Sequence, residues 1–520
     1  MAELVIRDLG KVRKALARAA RTDASTAKHV VNRFIEIRPG IEDKLAAERH
    51  HLLTGRRGTG KSTLLYVLQK NLKSEGVAVA TLDMEIYKGR EYPDVLIEVL
   101  IELLNKVRPG RSLKRGIPRL KIWLRVRKLK SLLRKMLRDP QTLTRSMSRG
   151  TEQASGGGFD VALKAAYKGQ GAGGSFLGKR GKNESMIATG EHEELKIQRL
   201  QILAGSISRL LSDMVAASDE GYAVVFLDDY YFVPLSEQPA VLDYLHQICK
   251  GTGVWLKVGG VGSRLNTYVD GNPPVGMEVG QDVSSVAIDV TLAEFATAQT
   301  FLERVLAGIL AEFDVTPSDL FTGDARSRMV LACGGAVARD YITLTESALD
   351  EAVERMTKSG KYDADAVLKI WTVDVQSAVK VLTNLKEREA FKRDAGSDAS
   401  ALSGRWGDIC DFSRKTEDLF ILVPQVQLER EPWGQEIQQL ENLRLIHRIG
   451  DTTPNAKAWQ GVKVTVFMID LGQLPTVRLA KKIPEFWSSA ADFNSLRRAS
   501  WVYTPDWRGV PVEPISPALS

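Results

Sequence analysis

One short segment limits the fold of this chain more than any other. Residues 55–62 read GRRGTGKS, between an apolar run that ends at residue 53 and apolar residues that resume at Leu64. Glycines let consecutive backbone N–H groups turn inward around a phosphate without clashes from Cβ atoms. The pattern G-x-x-x-x-G-K-[ST], with a strand before it and a helix after it, therefore predicts a nucleotide-binding α/β domain built on a parallel sheet.

The chemistry of this loop assigns a role to its last residues. Lys61 supplies a positive charge to the β- and γ-phosphates, and the Ser62 hydroxyl is a candidate ligand for Mg²⁺. The alternative, a glycine turn that matches by chance, leaves the flanking strand and helix unexplained. We predict ATP and Mg²⁺ as cofactors, and a nucleotide-binding set made of Gly55, Arg56, Arg57, Gly58, Thr59, Gly60, Lys61, Ser62 and Thr63.

A second element supplies the acid that a metal-bound nucleotide needs. Residues 223–227 form a short apolar run, typical of a buried parallel strand, and Asp228 and Asp229 follow directly. Ligands gather at the carboxyl ends of strands in open α/β sheets. We predict that Asp228 binds Mg²⁺ and that Asp229 orients or deprotonates the attacking water. The alternative is a surface turn that happens to carry two acids.

These two motifs, in this order, resemble the Walker A and Walker B elements of the AAA+ ATPases and the related STAND signalling ATPases. The likeness is greatest to the initiator branch, the origin-recognition-like proteins that end in a winged helix, and it covers residues 30–105 and 190–475. The resemblance implies a parallel-sheet nucleotide domain, a helical lid and a winged helix. The predicted domains are an N-terminal helix (1–30), the nucleotide domain (31–108 and 190–292), an insertion (109–189), the lid (293–362), the winged helix (363–500) and a tail (501–520).

The resemblance also implies two arginines that act on the nucleotide. The segment CGGAVARDYITL at 333–344 is similar to the lid motif that carries the second sensor, which would place Arg339 near the γ-phosphate. Pairing of Arg339 with Asp340 on a helix surface is the alternative. Arg264 is a candidate arginine finger acting in trans, or else an ordinary loop arginine. The predicted strand before it ends in two glycines where the family has a polar sensor, and Ser263 or Asn266 is the candidate substitute.

The positive charge of the chain is concentrated in the insertion. Residues 106–149 contain 16 Lys and Arg against one acid, whereas the whole chain has a net charge of +8, so the remainder is acidic on balance. Such a helix can follow a phosphate backbone, bind an acidic partner or membrane surface, or simply be solvated. For the first of these, the candidate nucleic-acid-binding residues are Arg119, Lys121, Arg125, Arg127, Lys128, Arg134 and Lys135.

The C-terminal part gives weaker evidence for DNA recognition. The predicted recognition helix of the winged helix carries Glu431, Glu436 and Glu441, and the wing contributes only Lys457 and Lys463. Base reading by this helix is therefore disfavoured, and protein binding or contact through the wing remains open.

Composition narrows the cellular setting. The three cysteines match no metal spacing, and no apolar run is long enough to span a membrane, which favours a cytoplasmic protein. We predict a slow Mg²⁺-ATP-dependent AAA+ ATPase that acts as a DNA-associated nucleotide switch. The resemblance implies bacterial anti-phage defence or mobile-element maintenance as its setting. We expect a homo-oligomer (dimer or ring) and an effector protein. The alternative is a STAND-like scaffold whose ATP state gates protein binding without nucleic acid.

Overall fold

The computed structural model describes residues 4–20, 34–107, 116–138, 182–218, 220–389, 399–473 and 483–508. The chain forms two compact units. The sheet unit contains residues 40–55 and 64–287, and the lid unit contains residues 1–39, 56–63 and 288–520. The glycine-rich loop at residues 55–62 is called the phosphate loop below. All of it except Gly55 is grouped, by its contacts, with the C-terminal half of the chain.

The secondary structure follows the predicted order. The helices are α1 (Leu9–Ala19), α2 (Ile41–Ala46), α3 (Lys61–Ser74), α4 (Asp94–Lys106), α5 (Gly116–Arg138), α6 (Lys182–Ala216), α7 (Gln238–Cys249), α8 (Phe295–Leu310), α9 (Pro317–Leu320), α10 (Gly323–Cys333), α11 (Ala338–Lys358), α12 (Thr372–Glu389), α13 (Ala399–Thr416), α14 (Gln425–Arg430), α15 (Pro432–Asn442) and α16 (Ala490–Asn494). The strands are β1 (His51–Thr54), β2 (Ala78–Asp83), β3 (Ala223–Asp228), β4 (Val254–Gly260), β5 (Tyr268–Val269), β6 (Val275–Gly276), β7 (Ser284–Ala287), β8 (Phe420–Pro424), β9 (Ile446–Thr452) and β10 (Val464–Ile469).

The sheet unit is built on five parallel strands in the order β2–β3–β4–β1–β7. The first five residues of β3 are buried, as expected for a strand covered on both faces. Because all five strands run in one direction, the carboxyl ends of β1 and β3 lie at the same edge of the sheet. The predicted parallel α/β fold is confirmed.

The predicted insertion is only partly described, by α5 and the long helix α6. Leu129, Leu133 and Met136 on α5 are buried in the core of the sheet unit, as the helical spacing predicts. Leu120 and Trp123, which the same spacing assigned to the apolar face, are instead 60% and 53% exposed. The glycine-rich second part of the insertion lies outside the described residues.

In the lid unit one hydrophobic core runs through the lid and the C-terminal domain. Helix α1 packs on α8 and α11, and the Leu368 N–H donates to the Leu4 carbonyl at 2.8 Å, so the N-terminal segment is part of the lid. Helix α12, which lies after the predicted boundary at residue 362, packs against α10 and α11.

The C-terminal domain has the element order of a winged helix. Helices α13, α14 and α15 accompany an antiparallel sheet in the order β8–β10–β9, with the wing between β9 and β10. The core extends beyond the predicted boundary at residue 500, because Trp501 is 2% exposed and Tyr503 is fully buried. The Tyr503 hydroxyl donates to Asp408 at 2.6 Å, which fixes the segment on α13.

Candidate nucleotide-binding site

The phosphate loop has the backbone that its glycines predict. It begins at the carboxyl end of β1 with Gly55, and α3 begins at Lys61. Gly58 and Gly60 have φ angles of 86° and 96°, in the left-handed region that side chains with a Cβ rarely adopt. Ser62 and Thr63 lie in the first turn of α3, where the helix dipole favours a bound anion.

One carbonyl organises the loop from within. The Arg56 carbonyl oxygen accepts hydrogen bonds from the Thr59 N–H (3.3 Å), the Thr59 hydroxyl (2.8 Å) and the Lys61 ammonium (3.0 Å). Thr59 and Lys61 are buried, 4% and 6% exposed. The Lys61 ammonium is therefore held at the loop itself, where a bound β- or γ-phosphate would exchange for the carbonyl.

The N–H groups of Arg56 donate hydrogen bonds to a carboxylate and to backbone carbonyls of the lid unit. Its backbone N–H donates to both carboxylate oxygens of Asp289, at 2.9 and 3.0 Å, and its Nε donates to the same side chain at 3.1 Å. Its Nη1 donates to the Gly334 carbonyl at 2.9 Å, and its Nη2 to the Val290 carbonyl at 3.3 Å. Sequence reasoning missed Asp289, since a lone acid after a short edge strand carries no motif. Arg57, the next residue, is exposed.

Arg339, the predicted second sensor, lies beside the glycine-rich loop. The Arg339 N–H donates to the Gly58 carbonyl at 3.2 Å, at the start of α11. A Cβ at Gly58 would stand 3.1 Å from Val337 Cγ1 and 3.2 Å from Arg339 Cβ, so the lid packs directly on the loop. Asp340 pairs with Arg444 at 2.6 Å, a partner that the proposed Arg339–Asp340 surface pair did not anticipate.

In the sheet unit, the two acids occupy different backbone states. Asp228 is the last residue of β3, whereas Asp229 has a φ of 52°, in the left-handed region. The Asp229 N–H donates to Asp228 Oδ1 at 2.9 Å, which orients the Asp228 carboxylate. Asp228 therefore ends the strand, and Asp229 begins the turn that follows it.

Two glycines, Gly259 and Gly260, end β4 at the position where the resemblance implies a polar sensor residue. Close packing around them accounts for the lack of a side chain there. A Cβ at Gly259 would lie 3.0 Å from Leu65 Cδ1 and 3.2 Å from Asp228 Oδ1. A Cβ at Gly260 would lie 2.6 Å from Leu265 Cδ2. The glycines thus allow β4 to pack closely beside the Asp228 carboxylate. The Asn266 N–H donates to the Gln238 side chain at 2.7 Å, and the Ser263 side chain lies outside the described residues.

Arg264 is engaged within its own unit. Its guanidinium lies over the Tyr231 ring, 5.3 Å from the centroid, and its carbonyl accepts a hydrogen bond from Gln238 at 3.1 Å. This stacking provides the ordinary structural role that competes with the arginine-finger prediction.

The donor set fits Mg²⁺ in its chemistry. Mg²⁺ prefers oxygen ligands and usually takes only one or two from the protein, with phosphates and water completing its shell. The Ser62 hydroxyl and the Asp228 carboxylate are of this kind. Across the described residues no group of three or more His, Cys, Asp or Glu side chains is arranged to hold a metal ion without such help.

The predicted cationic surface is largely exposed. Lys121, Arg127, Lys128 and Arg134 are exposed on α5, and Lys135 is half-buried. Arg125 is committed to an ion pair with Asp213, and the Arg119 side chain lies outside the described residues. A groove of about 850 Å³ runs between α5 and α4 and is lined by Trp123, Arg127, Lys130, Arg134, Lys135 and Arg138.

Comparison with known proteins gives distant structural likenesses. No family model and no curated protein matches the sequence. The chain is similar in structure to the ORC1 protein of Aeropyrum pernix, solved in complex with DNA, with 13% identity over 91% of this chain and 94% of that one and a TM-score of 0.31. It is also similar to Cdc6p of Pyrobaculum aerophilum, with 12% identity over 92% and 97% of the two chains and a TM-score of 0.31.

Both neighbours carry names from the origin-recognition group that the sequence resembles. At this identity and TM-score the likeness supports no statement about the activity of this chain, which has to come from its own residues. Among the helices in the described ranges, none combines the length and apolarity needed to cross a bilayer.

Proposed function

We propose that this protein is a slow AAA+-type ATPase in which the bound nucleotide sets the position of the lid. One observation carries the proposal: the glycine loop that holds Lys61 is in direct contact with the start of α11, where the backbone N–H of Arg339 donates to the Gly58 carbonyl. A γ-phosphate at the loop would therefore meet both a lysine and a lid arginine. Loss of that phosphate on hydrolysis would remove the ligand that the two cations share.

The proposed chemistry is hydrolysis of the β–γ phosphoanhydride. Water attacks the γ-phosphorus, the bond to the bridging oxygen breaks, and Asp229 accepts the proton of the attacking water. Lys61 and the N–H groups of the loop and α3 stabilise phosphate charge, and Ser62 and Asp228 would hold Mg²⁺, which neutralises the developing charge when bound. We expect slow turnover because aspartate is one methylene shorter than the glutamate usual in AAA+ enzymes.

Steady-state ATP hydrolysis by the purified chain tests this function. Lys61→Ala should lower the rate by at least about 10²-fold, as expected for loss of a charge that stabilises the transition state. Lys70→Ala is the matched control, because Lys70 is an exposed lysine of the same helix that lies outside the predicted nucleotide-binding set. Equal rates for the wild type and Lys61→Ala would show that the measured activity does not come from this site.

We further propose that the exposed face of α5 binds nucleic acid. The supporting observation is an exposed aromatic among cations: Trp123 is 53% exposed, and the Arg127 guanidinium lies over its ring, 5.4 Å from the centroid. Cations along a groove follow a phosphate backbone, and an exposed aromatic ring stacks on unpaired bases. The biological setting we propose, from the resemblance, is anti-phage defence or mobile-element maintenance.

Salt dependence of DNA binding separates the two candidate surfaces. Replacing Arg127 and Lys128 together by Gln should reduce the slope of log K against log salt by about 2. Replacing the exposed wing residues Lys457 and Lys463 is the matched pair and should leave that slope unchanged. An equal loss from the wing pair would assign DNA contact to the winged helix, and absence of DNA binding would favour the scaffold that gates protein partners.

A further inference from the structure

Arg56 occupies a position in the phosphate loop where a nucleotide contact is expected, yet its donors are directed elsewhere. Its N–H and Nε go to Asp289, and its two terminal nitrogens go to the carbonyls of Gly334 and Val290. The side chain is 13% exposed and the Asp289 side chain 32% exposed, so water screens this ion pair only partly. Arg56 therefore directs its backbone N–H and three of its five guanidinium N–H donors to protein acceptors.

The turn that Arg56 contacts has no room for a side chain. Gly334 and Gly335 have φ angles of 65° and 117°. A Cβ at Gly335 would lie 2.4 Å from the Val290 carbonyl oxygen and 2.9 Å from Arg56 Nη2. A Cβ at Gly334 would lie 2.2 Å from His447 Cε1. The turn is thus enclosed between the phosphate loop and the first residues of β9.

On the winged-helix side, the contacting histidine is fixed. His447 is 2% exposed, and its Nε2 lies 3.1 Å from Asp470 Oδ2. Asp470 is itself buried and accepts a second hydrogen bond from the Gly472 N–H at 3.0 Å. A displacement of the turn would therefore displace β9, because the histidine has no free space into which to move.

A second set of contacts also connects the phosphate loop with the winged helix. Arg444, just before β9, donates to Asp340 at 2.6 Å, and Asp340 follows Arg339, whose N–H is bound to Gly58. Glu441, at the end of α15, is influenced by the charges of Arg56 and Asp289; burial raises its pKa, Arg448 and Arg56 lower it, and Asp289 raises it. The winged helix is therefore in electrostatic as well as steric contact with the phosphate loop.

We infer that Arg56, Asp289, Gly334 and Gly335 form a loop–lid clamp that sets the shape of the phosphate loop and transmits its occupancy through His447 to the winged helix. Arg56 and Asp289 are positioning residues, since they act through the backbone of the loop. The clamp rests on the proposed function in one respect only: the ligand whose occupancy it transmits is the nucleotide of that site.

Nucleotide affinity tests the clamp with variants of the full chain. With a fluorescent ATP analogue and Mg²⁺, Asp289→Ala should weaken binding by about tenfold, through loss of charge-assisted hydrogen bonds. Lys70→Gln, at an exposed position of α3 outside the predicted nucleotide-binding set, should stay within about twofold of wild type. The double variant Arg56→Gln with Asp289→Ala should bind no more weakly than the weaker single variant, because both substitutions break the same contact.

Amide hydrogen exchange of β9 tests the transmission. A non-hydrolysable ATP analogue should slow exchange at residues 446–452 in the wild type, and Asp289→Ala should abolish that response while α3 still responds. His447 touches no residue of the phosphate loop. His447→Asn should nevertheless weaken ATP binding several-fold. Unchanged ATP affinity in Asp289→Ala and His447→Asn, with an unchanged response of β9, would overturn the inference.

The clamp can also be tested if the wild type binds no nucleotide. The proposed function would then fail, and exchange in the nucleotide-free proteins would decide the clamp by itself. Faster exchange at residues 334–337 and in β9 of Asp289→Ala than of Lys70→Gln would support the contact between loop, turn and winged helix. Identical exchange in the two variants would refute it.

Discussion

The Asp229 N–H donates a hydrogen bond to Asp228 Oδ1 at 2.9 Å, while Asp229 itself has a φ of 52°. The carboxylate of the first acid is thus held by the backbone of the second, and the second has a left-handed backbone conformation. Asparagine tolerates this conformation almost as well as aspartate does. The geometry therefore allows the two roles to be separated by single substitutions.

Asp229→Asn should lower the rate of ATP hydrolysis by about 10²-fold, the usual contribution of a general base. ATP affinity should stay within about twofold of wild type, because the Asn side chain preserves the turn and Asp228 keeps its N–H partner. Single-turnover hydrolysis and nucleotide titration measure the two quantities. A rate that is unaffected would show that Asp229 does not activate water.

Gly259→Ala should destabilise the protein by about 1–3 kcal/mol, because its Cβ would enter an already close-packed space between Leu65 and Asp228. Thermal unfolding measures the loss. Gly404→Ala is the matched control: Gly404 lies in α13, no atom stands within 4 Å of its added Cβ, and the change should be neutral or stabilising. A stable Gly259→Ala protein would contradict the steric reason given for the missing sensor.

Stability of the sheet unit should fall when the pH is lowered from about 6.5 towards 4. Burial is the largest cause that lowers the pKa of both His50 and His51 to about 4. The unfolded chain therefore binds more protons than the folded one between these pH values, and stability is lost as pH falls. His50 Nδ1 accepts from the Leu256 N–H at 3.0 Å, a bond that protonation of Nδ1 breaks.

Hydrogen exchange of β4, corrected for the intrinsic effect of pH, measures this loss at the Leu256 amide. His50→Asn should make exchange at the Leu256 amide less dependent on pH between 4 and 6.5, since one of the titrating histidines is gone. The opposite result, protection that rises as the solution is acidified, would show that the histidines are charged in the folded state.

Arg444→Asn should cost about 3 kcal/mol, because it leaves the Asp340 carboxylate, 8% exposed, without its cation. Asparagine is chosen because Arg444 has a φ of 64°. Arg448→Gln, which breaks the exposed pair with Asp451, should cost less than about 1 kcal/mol. Urea unfolding of the three proteins compares the two losses, and equal losses would exclude a special role for the Arg444–Asp340 pair.

Local patterns located much of the candidate site in advance. The phosphate loop, the acidic strand and Arg339 all lie on the elements that the sequence predicted. These features depend on the conformations that glycine allows, on the length of a buried apolar run and on the position of a helix start. Each of them is encoded within about ten consecutive residues, so each could be read without knowledge of the fold.

The partners of these residues depend on chain segments far apart in sequence. Asp289 lies 233 positions from Arg56, and neither residue carries a motif for the other. The acids of α15 also have surroundings that the sequence did not indicate, because Glu436 pairs with Arg405 at 2.7 Å and Glu441 is half-buried. Trp123 was expected on an apolar face, whereas the sheet unit buries a different side of α5.

The sequence by itself determined that this chain has a glycine-rich loop between a strand and a helix of a parallel sheet, a basic insertion, and a C-terminal domain with the element order of a winged helix. Only the tertiary structure decided that the loop packs with the lid and that Arg56 donates hydrogen bonds to Asp289 and to the Gly334 carbonyl. The physical reason is that backbone conformation and hydrophobic periodicity are local properties, whereas ion pairs and close packing form between segments that only the folded chain brings together.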